Sequence, residues 1–115
     1  MSITHDTRPW GAEEIFTVNE VTTVKILTIN PEQRCSLQYH HNRKEFWKLI
    51  EGEATLQIGD KLIDAKVGDE YEIPVETQHR IIGKNIPGKI LEISYGEFDE
   101  NDIVRLEDDY GRLEK

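Results

Sequence analysis

The stretch Ala54-Thr55-Leu56-Gln57-Ile58-Gly59-Asp60-Lys61-Leu62-Ile63-Asp64-Ala65-Lys66-Val67 reads as two β-strands joined by a two-residue turn with Gly first. Gly adopts the positive φ that such a hairpin turn requires at low cost, so the pattern is a strong local signal. Similar segments recur on either side. Upstream lie residues 46–50, 34–39 and 21–30, the last rich in the β-branched residues that suit a pleated surface. Downstream lie 70–73, 80–82 and 89–95, the last preceded by the turn pair Pro87-Gly88. About eight short strands at regular spacing predict an all-β sandwich or barrel. The one helical expectation is a short turn beginning near Asn101 in the acidic tail 99–115.

A chain of 115 residues suits one domain, 1–115. Lys and Arg number 14 against 23 Asp and Glu, a formal charge of −9. Such a chain repels phosphate backbones and anionic bilayers, so neither nucleic acid nor membrane is an expected partner. The single cysteine, Cys35, excludes an internal disulfide and a Cys-rich zinc finger, and it is expected to serve as a small buried hydrophobe. No apolar run reaches the roughly 18 residues that span a bilayer, and the N-terminus lacks the pattern of a secretory signal. A cytoplasmic location is the expectation. His5 reads as a tail residue, and Trp10, Phe46, Trp47 and Tyr110 as core or dimer contacts.

The chemistry concentrates in Gln38-Tyr39-His40-His41-Asn42-Arg43-Lys44-Glu45-Phe46-Trp47. On a strand Gln38 and His40 share one face while Tyr39 and His41 share the other. With four residues between it and His40, Glu45 can return beside them on the next strand, and antiparallel pairing can bring His79 to the same place. Two imidazoles, a carboxylate and an amide oxygen suit a divalent metal such as Zn²⁺, and equally Mn²⁺, Fe²⁺, Co²⁺ or Ni²⁺. Spacing alone leaves open surface histidines at hairpin ends, with Glu45 paired to Arg43 or Lys44. It also leaves open the two-histidine, one-carboxylate triad of a non-haem iron oxygenase.

Gln38-x-His40, four residues, Glu45, six residues, Gly52 resembles the first cupin motif; Gly68, Pro74 and His79 resemble the second. More narrowly, Arg8-Pro9-Trp10-Gly11, the Lys25 strand, the run from Ser36 to Trp47, Ile73-Pro74, His79-Arg80, Asp102-Ile103 with Arg105, and Asp109-Tyr110-Gly111-Arg112 resemble the type II mannose-6-phosphate isomerase domain over 8–112. That domain is often the C-terminal part of a bifunctional enzyme with mannose-1-phosphate guanylyltransferase. The resemblance implies a single cupin domain, a double-stranded β-helix or small jelly-roll barrel. It also implies metal-dependent interconversion of mannose 6-phosphate and fructose 6-phosphate through an enediol, with Gln38, His40, Glu45 and His79 holding one metal ion, Zn first among the choices. A homodimer through the strand at 21–30 is expected.

In this frame His41, Glu92 and Arg43 are the catalytic candidates, with the base left open between His41 and Glu92. Glu92 has a further reading as an ion-pair or hydrogen-bond partner of a ligating histidine. Arg43 and Arg80 adjoin the ligand motifs and can grip phosphate bidentately; Arg112, Lys44 and Lys84 stand behind them. Four positions depart from the family pattern. Asn42 replaces a histidine at the expected mouth and bears on substrate choice. Glu32 and Glu76 replace glycines, which predicts altered turns, and Ser94 replaces a common Gln. The rival reading is a non-catalytic cupin that binds a sugar or nucleotide-sugar.

Overall fold

The computed structural model describes residues 3–113, and every regular element in that range is a strand. In chain order they are β1 (Thr4–Arg8), β2 (Gly11–Ile15), β3 (Thr22–Ile29), β4 (Leu37–Tyr39), β5 (Lys44–Glu51), β6 (Ala54–Ile58), β7 (Lys61–Ala65), β8 (Glu70–Ile73), β9 (His79–Ile82), β10 (Gly88–Tyr95) and β11 (Val104–Glu107). One antiparallel sheet runs β3-β10-β5-β8 and a second runs β11-β4-β9-β6-β7. Ile29, Trp47, Leu49, Ile73 and Ile90 from the first meet Ala54, Leu56, Ala65 and Ile81 from the second, and this contact is the core. Burying each large apolar side chain stabilises the fold by roughly 1.5–3 kcal/mol.

The quoted hairpin is present as β6 and β7, in register from Ala54↔Ala65 to Ile58↔Lys61, with Gly59 at φ +60°. The tail holds strand β11 rather than a helical turn: it finds partners in β4, a long-range pairing that local propensity does not encode. β1 and β2 are a hairpin that the sequence reading did not expect. Their charged alternation carries no apolar stripe, since the ribbon pairs only with itself and faces solvent. Behind it Phe16 and Ile3 cover the outer face of the first sheet at Phe46, Ile93 and Tyr95. β5 and β10 are thereby covered on both faces, which explains their near-continuous burial.

His5 is therefore not a loose tail residue; it lies on β1 with Nε2 2.9 Å from Glu70. Trp10, at the hairpin tip, is 72% exposed and contributes nothing to the core, unlike Phe46 and Trp47. Tyr110 is exposed as well, and its hydroxyl donates to Gln33. Cys35 is half-buried against the core, and burial pushes its thiol pKa up. Glu32 and Glu76 both adopt left-handed backbone, φ +63° and +59°, a region that glycine enters freely and an ordinary residue enters at the cost of backbone strain. No helix among the described residues is long and apolar enough to cross a membrane.

Candidate metal centre and its cavity

His40 follows β4, Glu45 lies on β5 and His79 opens β9. All three side chains are buried, and one donor atom from each lies within 4.8 Å of the others. The Glu45 carboxylate is 3.4 Å from His40 Nε2 and 3.8 Å from His79 Nε2. Gln38 stands opposite His79 in the β4–β9 pairing and faces the same cavity. Its amide nitrogen donates to Ser36 Oγ at 2.7 Å, which leaves the amide oxygen as the atom available to a ligand.

The ring protonation follows from the partners. His40 Nδ1 is 2.6 Å from the carbonyl of Asp102, and His79 Nδ1 is 2.8 Å from that of Thr77. Carbonyls only accept, so each Nδ1 carries the proton and each Nε2 presents a bare lone pair toward Glu45. Burial lowers both imidazole pKa values, more than the Glu45 charge restores for His79, and the rings are held neutral. Two lone pairs, a carboxylate and an amide oxygen thus converge in a low-dielectric pocket. Such a donor set fits a divalent cation.

The cavity beside this cluster measures about 730 Å³. Although the chain is acidic overall, Lys25, Arg34, Arg43, Arg80 and Arg112 line it, against the carboxylates of Glu45 and Glu92. Arg80 is 3% exposed; its Nε donates to the Cys35 carbonyl, one terminal nitrogen to Glu107, and the other, Nη2, has no partner among the described residues. Arg112 pairs with Asp108 and Arg34 with Asp109, so the run Glu107-Asp108-Asp109 answers three cavity arginines one for one. Glu92, on the inner face of β10, has its pKa pushed up to about 7, first by burial and then by the Glu45 charge.

His41 and Asn42 lie elsewhere. His41 is half-exposed with Nδ1 3.1 Å from Glu76, and neither residue lines the cavity. The strand alternation that sends Gln38 and His40 inward turns His41 out. The structure thus gives His41 no contact with the metal cluster, and between the two base candidates only Glu92 faces it. Lys44 and Lys84 are likewise absent from the lining, and Lys84 pairs with Asp64. Two residues escaped the sequence reading as parts of the site. Lys25 interrupts the inward stripe Lys25, Leu27, Ile29 of β3, a signal that period-two reading could have flagged. Asp102 accepts from the backbone N–H groups of His41 and Asn42 at 2.8 and 3.0 Å while its carbonyl fixes His40, so it positions the whole turn.

The chain is 37% identical over 107 residues to the alginate biosynthesis protein AlgA of Pseudomonas aeruginosa, covering 91% of this chain and 22% of that protein. It is 32% identical over 108 residues to the mannose-1-phosphate guanylyltransferase ManC of Salmonella typhimurium, covering 92% of this chain and 22% of ManC. The chain therefore spans less than a quarter of the length of these relatives. A cupin 2 domain-containing protein from Halorhodospira halophila superposes with TM-score 0.65 at 18% identity, over 72% of this chain and 57% of that one. The architecture is accordingly the cupin fold, a double-stranded β-helix. The family model described as Mannose-6-phosphate isomerase C-terminal matches residues 2–108. That span holds Gln38, His40, Glu45 and His79, both glutamate turns and β11, and the chain belongs to the Mannose-6-phosphate isomerase C-terminal family.

Proposed function

We propose that this domain is a metal-dependent aldose–ketose isomerase that interconverts mannose 6-phosphate and fructose 6-phosphate. The observation that carries the reading is the buried convergence of Glu45 with two neutral imidazoles, His40 and His79, beside a cavity lined by five cations and one further carboxylate, Glu92. Gln38, His40, Glu45 and His79 would hold the ion, Zn²⁺ or another divalent metal. When bound, that ion would supply Lewis-acid stabilisation of negative charge developing on the sugar oxygens.

The chain's own residues account for the proton movements. Glu92, as a carboxylate, takes the C2 proton of the open-chain aldose; the electron pair forms the C1–C2 double bond, and the C1 carbonyl oxygen takes a proton from water to give the enediol. Glu92 returns its proton to C1 while the C2 hydroxyl gives its proton back to water, which yields the ketose with no net change in protons. A pKa near 7 suits a group that must both accept and return a proton near neutral pH. Arg80, with one terminal nitrogen unpartnered among the described residues, is the first candidate for the substrate phosphate, with Arg112 behind it. Arg43 lies within reach of both the ligand cluster and the cavity.

In this reading the protein works in the cytoplasm, where sugar phosphates are found, and as a homodimer. The exposed Val24 and Ile26 on edge strand β3 support pairing with a second copy. Proton NMR of metal-loaded protein with mannose 6-phosphate in D₂O tests the isomerase. Fructose 6-phosphate carrying deuterium, formed by wild type and not by His40→Ala, is the expected result. Metal-dependent ligand shifts without product would make the domain a sugar-binding cupin instead.

A further inference from the structure

Arg43 sits in an unusual position for a surface-motif arginine. It is 8% exposed, and each nitrogen of its head is engaged. Nε donates to Glu45 Oε2 at 3.1 Å, Nη1 to the Asp99 carbonyl at 3.3 Å, and Nη2 lies 3.3 Å from His40 Nε2. Its guanidinium also lies 4.5 Å from the Phe98 ring centre, and Lys25 Nζ lies 4.5 Å from the same ring. Arg43 thus serves as counter-ion to the buried Glu45, and it does so through two of the atoms that form the metal centre.

His40 Nε2 has one lone pair, because Nδ1 is committed to the Asp102 carbonyl. That lone pair can accept an Arg43 N–H or bind a metal ion, but not both. A cation brought to Glu45 also repels the guanidinium at close range. Once the lone pair is taken, Nη2 loses its acceptor and a buried donor is left unsatisfied, which is costly. An anion in the adjoining cavity relieves both problems, since Arg43 already lines that cavity with Lys25 across the Phe98 ring.

We infer that Arg43 couples metal loading to anion binding, exchanging its contacts with Glu45 and His40 for the phosphate of a bound ligand. The inference rests on the metal-centre reading above. Coupling between two ligands is reciprocal, so phosphate must tighten metal binding by the same factor by which metal tightens phosphate binding. Factors of about 5 to 150 are typical of such coupling.

The test titrates Co²⁺, followed by its visible absorption, into the full chain with and without inorganic phosphate at fixed ionic strength. Wild type is expected to bind Co²⁺ about tenfold more tightly when phosphate is saturating. Arg43→Met is expected to bind Co²⁺ about tenfold more tightly than wild type without phosphate, and to lose the phosphate effect. Arg43→Lys should restore part of it. Weaker or unchanged Co²⁺ affinity in Arg43→Met overturns the inference, as does a phosphate effect that survives in it. Should Arg43→Met fail to give a cooperative melt, wild type still decides: Co²⁺ binding with no phosphate effect overturns the coupling alone. No Co²⁺ binding at all overturns the metal-centre reading too. Turnover is not read, so loss of the isomerase reading by itself leaves this result intact.

Discussion

β5 and β10 build two regions of opposite character from one pair of strands. Their inner faces pair in register as Glu45↔Ser94, Trp47↔Glu92 and Leu49↔Ile90. At the closed end Leu49 and Ile90 are almost fully buried in a continuous apolar cluster with Ile29, Ala54 and Leu56. At the open end the same ladder carries a buried carboxylate, a carboxyl with a raised pKa, and a serine hydroxyl with no partner among the described residues. Trp47 joins the two: its ring packs in the core while its indole N–H donates to Glu45 at 3.1 Å. The closed end supplies stability that the open end consumes, and unpaired polar groups are tolerated where a ligand can complete them.

The sharpest way to break this comparison is one substitution at each end. His79→Ala removes a donor of the candidate metal centre and, on the proposed function, is expected to lower isomerase turnover at least about a thousandfold, some 4 kcal/mol of transition-state stabilisation. Its metal content should fall in step, with a smaller loss in melting temperature than Leu49→Ala. Leu49→Ala leaves a cavity in a packed core and should cost about 2–5 kcal/mol of stability, with metal bound per folded molecule unchanged. Thermal melts paired with metal analysis decide it. If Leu49→Ala emptied the metal centre while folded, the two ends would not be separable.

Glu92 lies at the midpoint of the ladder and gives a pH signature. Its folded pKa of about 7 lies above the ordinary carboxyl value of 4.5, so between these limits the folded state holds a proton that the unfolded state has released. The stabilisation from this group is full below pH 4.5 and is lost as pH rises through about 7. Glu92→Gln removes that loss. It should match wild type in acid and exceed it above neutrality by at most about 3 kcal/mol, read by urea melts across pH. Equal stability at all pH values would mean that Glu92 is not desolvated. On the proposed function the same variant should give no turnover, because the amide cannot take the C2 proton.

The β class was legible because it depends on local order, strand alternation and a Gly-first turn, whereas spacing alone left His40, Glu45 and His79 open to a surface reading and the resemblance to the cupin motifs brought them together. The parts that were not legible depend on distant partners. Asp102 fixes His40 across 62 residues of chain, and nothing in the acidic tail announces that role. β11 exists because β4 offers an edge. The β1–β2 ribbon is charged on both faces, so it lacks the stripe by which half-buried strands are found. Arg80 was expected at phosphate, but its pairing with Glu107 becomes visible only once the tail returns over the cavity.

The smallest expected effect concerns the two loops that carry glutamate at a glycine position. Glu76 turns the chain between Pro74 and His79, and its N–H donates to the His40 carbonyl at 2.7 Å, so this turn sets one ligand loop against the other. Left-handed backbone costs an ordinary residue about 1–2 kcal/mol, whereas a glycine adds about 0.4–1 kcal/mol of unfolded-state entropy that folding must overcome. The exposed pair between Glu76 and His41 contributes little against either. Strain relief outweighs the entropy, so Glu76→Gly is expected to stabilise the domain by up to about 1 kcal/mol. Glu32→Gly should do the same, as Glu32 N–H keeps its bond to the Lys84 carbonyl through the same backbone. Melting temperatures a few degrees above wild type, with metal affinity unchanged, are the expected readout. A loss of stability in Glu76→Gly alone would mean that the glutamate side chain holds its loop to His41, and that the open end depends on a contact the closed end does not need.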